Sequence, residues 1–319
     1  MYIYRKITKS LGKYDKCFKY YTEDNEEIND ENIINYIKTL KIPPNYINVE
    51  INMNKKSKVL VTGYDKDGRK QYIYNKKFVE NQMNKKNCNL IIFGQIKNKI
   101  ENDINKFLLQ KYLSKDKIIS LILSIIIHCN FRIGNKIGKD RYNSFGVSTL
   151  LKKHCIKNNK SFILDFIGKK GIRNICELKD ELIIQNLNIL YKNCKGNESI
   201  FKYNNINISS NDVNIWLKKY GNITTKDFRS WYANIYFLEY ILNQNIIDDI
   251  KIRKKNIIHA IKYVSEKMHH TPAICKKKYI IYDLFDIYLN EPIKFNRIFN
   301  NSKKNINKKL INYLKKYYC

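Results

Sequence analysis

Five side chains beyond residue 130 are of the types that phosphoryl transfer needs: Arg132, Lys169, Arg229, His270 and Tyr279. A guanidinium is a planar, permanently charged fork that pairs with phosphate oxygens. An imidazole or an amine can hand over a proton, and a phenol oxygen can attack and later be displaced. Taken singly, none compels a function. The chain holds 25 tyrosines, and Thr271-Pro272 beside His270 is also an ordinary helix start, cap then first turn. Arg229 alone reads equally well as a helix-surface ion pair with Asp227. There is no Walker loop, GxGxxG or HExxH, so nucleotide-driven and zinc-dependent chemistry have no support. The eight cysteines are scattered without a CxxC pair, and the five histidines complete no zinc spacing around them. They read as structural thiols in a reducing compartment rather than as metal ligands or disulfide partners.

The elements that would carry these residues follow from periodicity. Residues 1–80 read as strands and turns: KVLVTG (58–63), the DKDG turn (65–68) and QYIY (71–74) form a hairpin pattern, with Pro43-Pro44 as an earlier turn. The Lys/Asn-rich run 81–89 reads as the change of domain. Helical patterns then cover 90–112, 115–131, 212–220, 225–243, 251–268 and 271–290. One hairpin interrupts them: SFILDFI (161–167), a GKKG turn and IRNICEL (172–178). There Phe162, Leu164 and Phe166 share a face, and Lys169 or Lys170 projects from the tip. The apolar run before Arg132 reads as core, His128 as a packed histidine, and the tail from residue 300 as a solvated helix or frayed end. The expected class is α+β: a β-rich N-terminal domain over 1–80 and a mostly α-helical domain with a short β-hairpin sheet over 81–319.

Sixty Lys plus Arg face 29 Asp plus Glu, a formal charge of +31. Over-used Lys, Ile, Asn and Tyr point to an AT-rich genome, but that bias does not require acids to stay scarce. A charge this large implies a polyanionic partner, nucleic acid ahead of a membrane surface. IISLILSIII (118–127) is too short to span a bilayer, and the N-terminus lacks the apolar core of a secretory signal. The expectation is a soluble, non-secreted protein without membrane association.

The ordered segments VTGYDKDGRKQYIY (61–74), FRIG (131–134), GVSTLLKKH (146–154), FIGKKG (166–171), KDFRSWYAN (226–234) and HTPAICKKKYI (270–280) carry a resemblance. Together they resemble the type IB topoisomerase and tyrosine recombinase superfamily, and most closely its small poxvirus-type topoisomerases. Two places depart from that pattern: His269, where the family usually has a small residue, and 135–139. The resemblance implies that Tyr279 is the nucleophile, forming a 3′-phosphotyrosyl link. It implies that Arg132, Arg229 and His270 hold the phosphate and that Lys169 protonates the leaving 5′-oxygen, with no ATP, metal or other cofactor. It places Arg69, Gln71, Tyr72 and Tyr74 on the face that meets the major groove of double-stranded DNA. Strand alternation, however, sets Tyr72 and Tyr74 on one face and Gln71 on the other. The implied protein is a monomer that clamps duplex DNA and works in the virion and the infected-cell cytoplasm. Two rivals stand beside it: a tyrosine site-specific recombinase or integrase, and a non-enzymatic basic DNA-binding protein. Lys226, three residues before Arg229 where recombinases more often carry His, favours the topoisomerase.

Overall fold

The computed structural model describes residues 1–10, 16–244, 248–299 and 305–318. They fall into two compact units, Met1–Lys86 and Asn87–Cys319.

The first unit is built on an antiparallel sheet of five strands in the order β2-β1-β3-β4-β5. The strands are β1 (Tyr2–Ser10), β2 (Lys16–Tyr21), β3 (Ile47–Asn52), β4 (Val59–Tyr64) and β5 (Lys70–Tyr74). Alternation buries Ile3, Val49, Ile51 and Val61 on one face, where they form a small core with Ile37. Ile37 belongs to helix α1 (Glu31–Thr39), which a reading of strands and turns alone misses. Asp30 starts it by accepting from the Asn32 and Ile33 amides. Buried Arg5 donates to the carbonyls of Ile42, Pro43 and Tyr46, which satisfies the backbone of the Pro43-Pro44 turn.

The second unit is mostly helical. Helix α2 (Lys76–Leu108) runs unbroken through the polar stretch 81–89, and the boundary between the two units, Lys86/Asn87, falls inside that stretch. Residues 81–85 are exposed. Helix α3 (Lys115–Cys129) starts at the Ser114 cap and is buried continuously from Ile118 to Ile126, as a helix apolar all round must be. His128, expected as packed, is exposed near its end. After α4 (Lys136–Tyr142) comes a three-stranded antiparallel sheet, β6 (Cys155–Lys157), β7 (Phe162–Ile167) and β8 (Arg173–Leu178). Phe162, Leu164 and Phe166 point from it into the core as the alternation requires.

Helix α5 (Glu181–Lys192), the two-residue strands β9 (Lys202–Tyr203) and β10 (Ile206–Asn207), and α6 (Ser210–Leu217) lead to α7 (Thr225–Leu242). Helix α7 is central, with Phe228, Trp231, Ala233, Phe237 and Leu238 fully buried. Helix α8 (Ile250–Lys267) follows. The pattern over 271–290 is not one helix but two, α9 (Pro272–Lys278) and α10 (Tyr282–Asn290), broken at Tyr279. Helices α11 (Pro292–Phe299) and α12 (Ile306–Tyr318) close the chain. The tail, expected as a solvated helix or a frayed end, is a helix from residue 306 that packs along one face. Ile306, Leu310, Tyr313 and Leu314 recur at helical spacing and are buried. Residues 300–304 lie outside the described part.

The thiol reading fails for one pair. Cys129 at the end of α3 and Cys176 on β8 form a disulfide across Cα atoms 5.7 Å apart. A separation of 47 residues gave no sign of that closeness. Cys17, Cys88, Cys155, Cys194 and Cys275 form no disulfide among the described residues. Among the described residues no cluster of His, Cys, Asp and Glu could hold a metal ion, and no helix is long and apolar enough to cross a membrane.

Candidate active site

Arg132 is delivered by the way α3 ends. Asn130 turns left-handed (φ 54°), Phe131 is buried against Phe166 at 4.9 Å, and the chain emerges with Arg132 half-buried. The emerging segment is pinned by the Val147 amide on Arg132 O at 2.9 Å and the Ser148 amide on Ile133 O at 2.8 Å. The guanidinium Nη1 donates to the carbonyl of His269 at 3.2 Å.

Arg229 comes from the first turns of α7 and is 3% exposed. The ion pair with Asp227 does not form, because that carboxylate accepts from the amide and the hydroxyl of Thr224, both at 2.8 Å, and caps the helix instead. Arg229 Nη2 donates to Met268 O at 2.8 Å, and its guanidinium carbon lies 5.3 Å from the centre of the Tyr279 ring. Burial, with the charge of Arg132 adding to it, pushes the guanidinium down to about 10.

His270 follows α8, and Tyr279 stands where α9 ends. Their rings stack, centroids 4.7 Å apart and planes 18° from parallel. Burial first, then Arg229 and Arg132, hold the imidazole down to about 3, so it is neutral at pH 7. For Tyr279, burial alone would raise the phenol. The charges of Arg229, Arg132 and Lys226 outweigh it and leave the hydroxyl below its ordinary value. Buried Asn234 on α7 fixes the break after Tyr279. Its amide donates to Tyr279 O at 3.1 Å and its carbonyl accepts from the Ile281 amide at 2.9 Å.

Arg132, Arg229, His270 and Tyr279 are thus brought together, and Lys169 is not in contact with them. Lys169 is exposed in the tight turn Lys169–Gly171 at the tip of the β7–β8 hairpin. Among the described residues it makes no hydrogen bond or ion pair with the other four. Lys170 beside it takes the left-handed conformation, φ 65°. Arg229 Nε and Nη1 and both ring nitrogens of His270 are buried without a partner at hydrogen-bonding geometry among the described residues. Buried polar atoms seldom stay unpaired, and the N–H groups of Arg229 and the single N–H of the neutral His270 are donors that suit phosphate oxygens.

In the N-terminal unit, Tyr72 and Tyr74 are exposed on one face of β5, their rings 6.0 Å apart. Gln71 lies on the other face, where its amide donates to Asp65 Oδ2 at 2.8 Å. Asp65 also ties the turn by accepting from the Asp67 and Arg69 amides. Arg69 sits in that turn, 3.3 Å from the Asp67 carboxylate.

Sequence reasoning missed Asn234 and the carbonyls of Met268 and His269. Asn234 closes the KDFRSWYAN segment but gave no signal of its own, and main-chain acceptors leave none in a side-chain pattern.

A cluster of one buried and one half-buried guanidinium, a neutral imidazole and a phenol of lowered pKa can hold a phosphodiester and present an oxygen to it. Residues 75–288 match the family model described as the catalytic core of eukaryotic DNA topoisomerase I, and residues 17–65 the N-terminal domain of bacterial DNA topoisomerase IB. The protein is therefore an isomerase that acts on DNA. DNA topoisomerase 1B of Acanthamoeba polyphaga mimivirus is 30% identical over 295 residues, covering 87% of this chain and 86% of that protein. DNA topoisomerase 1B of Vaccinia virus (strain Copenhagen) is 27% identical over 234 residues, and DNA topoisomerase I of Monkeypox virus is 26% identical over 234 residues, each comparison covering 70% of both chains. The chain belongs to the type IB DNA topoisomerase family.

Proposed function

We propose that this topoisomerase relaxes supercoils of either sign by opening one strand of duplex DNA through Tyr279. The Tyr279 oxygen bonds to phosphorus as its proton leaves to water, and the bond from phosphorus to the 5′-oxygen breaks. Lys169 gives that oxygen a proton. The result is a 3′-phosphotyrosyl link and a free 5′-hydroxyl. After strand rotation the 5′-oxygen attacks phosphorus, its proton returns to Lys169, and Tyr279 leaves. One phosphoester replaces another, so no ATP is needed. The guanidiniums of Arg132 and Arg229 and the N–H of His270 serve the non-bridging oxygens, so no metal is needed.

The observation that carries this reading is the buried guanidinium of Arg229, with Nε and Nη1 unpartnered, and the buried imidazole of His270, both against the ring of Tyr279. Lys169 acts from an exposed turn and reaches the phosphate once DNA is bound. Arg69, Tyr72 and Tyr74 meet the duplex from the N-terminal unit, with Gln71 reading a base edge when it exchanges Asp65 for DNA. The protein works as a monomer that closes on duplex DNA, in the virion and the infected-cell cytoplasm as its viral relatives suggest.

The test is supercoiled plasmid with the purified protein in EDTA, without ATP, followed by detergent. Relaxed topoisomers and protein covalently attached to DNA are expected. Relaxation that requires magnesium or ATP contradicts the reading.

A further inference from the structure

The short link between α8 and α9 carries two consecutive main-chain carbonyls that face the two arginines. Met268 O accepts from Arg229 Nη2 at 2.8 Å, and His269 O accepts from Arg132 Nη1 at 3.2 Å. The chain takes this course by a left-handed turn at His269, φ 51°. That conformation is uncommon outside glycine, with asparagine, aspartate and histidine the residues that take it most readily.

The ring is well engaged. It packs on Phe131, centroids 4.8 Å apart, and its Nε2 lies 3.1 Å from Cys129 O. A carbonyl only accepts, so Nε2 carries the proton. Burial, with Arg229 and Arg132 adding, holds the imidazole down to about 4, so it is neutral at pH 7 and has one proton to donate. His269 therefore grips the segment that carries Arg132 at both ends. Its side chain holds the carbonyl where α3 stops, and its own carbonyl holds the guanidinium three residues later.

We propose that His269 is a positioning residue for Arg132, using its ring on Phe131 and Cys129 O to fix the carbonyl that aims the guanidinium at the scissile phosphate. The inference rests on Arg132 being a phosphate-holding group, as proposed above. A guanidinium has five N–H donors, and tethering one from behind leaves the others a fixed direction. Positional errors of about 1 Å cost on the order of a hundredfold in rate, so a tether of this kind is visible in catalysis.

The test is a double-mutant cycle on single-turnover cleavage of a nicked suicide duplex, with noncovalent affinity and Tm measured on each protein. His269→Gly and His269→Asn both accept the left-handed turn but lose the ring. Each should cut the cleavage rate by roughly ten- to a hundredfold with DNA affinity and Tm little changed. In an Arg132→Ala background the same substitutions should have no further effect, because there is no guanidinium left to aim. If the two defects multiply instead, His269 acts on something other than Arg132 and the proposal is overturned. Wild-type cleavage by either His269 variant overturns it as well. Wild-type cleavage by Arg132→Ala alone would overturn the role of Arg132 itself, which is a distinct result from multiplying defects.

Discussion

Gly134 and Gly146 touch backbone to backbone. A Cβ on Gly146 would fall 2.4 Å from Gly134 N and 2.6 Å from Arg132 O, and one on Gly134 would fall 2.8 Å from Gly146 Cα. This contact lets the Val147 and Ser148 amides reach the carbonyls of Arg132 and Ile133. The backbone of Arg132 is placed by the absence of two side chains, two and fourteen residues further along the chain, and Gly134 also needs its positive φ of 79°.

Gly146→Ala tests that placement. Its φ of −156° is open to any residue, so the obstacle is steric alone. The segment carrying Arg132 must shift, at a stability cost of about 1–3 kcal/mol. Cleavage should fall on the order of a hundredfold with noncovalent DNA binding retained. Single-turnover kinetics against a binding isotherm checks this, and an unchanged cleavage rate would show that Arg132 does not depend on the contact.

The fold was legible where one signal sufficed. The run before Arg132 is core, and the alternation of Phe162, Leu164 and Phe166 gave the hairpin face. It was not legible where tertiary contact decides. Nothing in the spacing says that Asn234 breaks the pattern over 271–290 at Tyr279, nor that Cys129 and Cys176 meet. Lysine and asparagine hid the packed face of α12, and over 81–89 they gave no sign that α2 continues unbroken. At the site, order and flanks pointed to Arg132, Arg229, His270 and Tyr279, which the structure places together. The exposed turn of Lys169 follows from the GKKG pattern, but its reach to a phosphate does not.

Acid should weaken the fold through histidines kept neutral inside it. His154, His269 and His270 are held down to about 4, about 4 and about 3 from 6.5, in each case first by burial. Below pH 6.5 the unfolded chain takes up protons that the native state refuses, so this stability is complete above that pH and is lost as pH falls towards 4. At pH 5 the loss should be on the order of 1–2 kcal/mol per histidine. Urea unfolding at pH 7.5 and pH 5 measures it, and His154→Gln should make the slope shallower. Equal stability at the two pH values would contradict the burial of these rings.

The disulfide joins the end of α3 to the strand that leads from the Lys169 hairpin. Closing a loop of that size contributes roughly 2–4 kcal/mol. Tm should therefore drop on adding a reductant, while Cys129→Ser/Cys176→Ser has one Tm with or without it. A wild-type Tm indifferent to reductant would mean that the pair does not stabilise the native state.

The role of Lys169 separates from that of Arg229 by changing the leaving atom. Lys169→Ala should slow cleavage by roughly 10²–10⁴, the range of general-acid help. A substrate with sulfur as the bridging 5′ atom expels a thiolate that needs no proton, so this variant should cleave it near the wild-type rate. Arg229→Ala should not be rescued, because its work is on the non-bridging oxygens. Rescue of Arg229→Ala alone would reverse the assignments.

The nucleophile itself can be located directly. The protein is trapped on a suicide duplex, digested with trypsin and nuclease, and the peptide carrying a residual 3′-nucleotide is sequenced by mass spectrometry. Cleavage after Lys278 gives the peptide of residues 279–294, which holds Tyr279, Tyr282 and Tyr288 as internal alternatives. The added mass is expected on Tyr279, the phenol stacked on His270 beside Arg229. Mass on Tyr282, on Tyr288 or on any other peptide would contradict the assignment of the site.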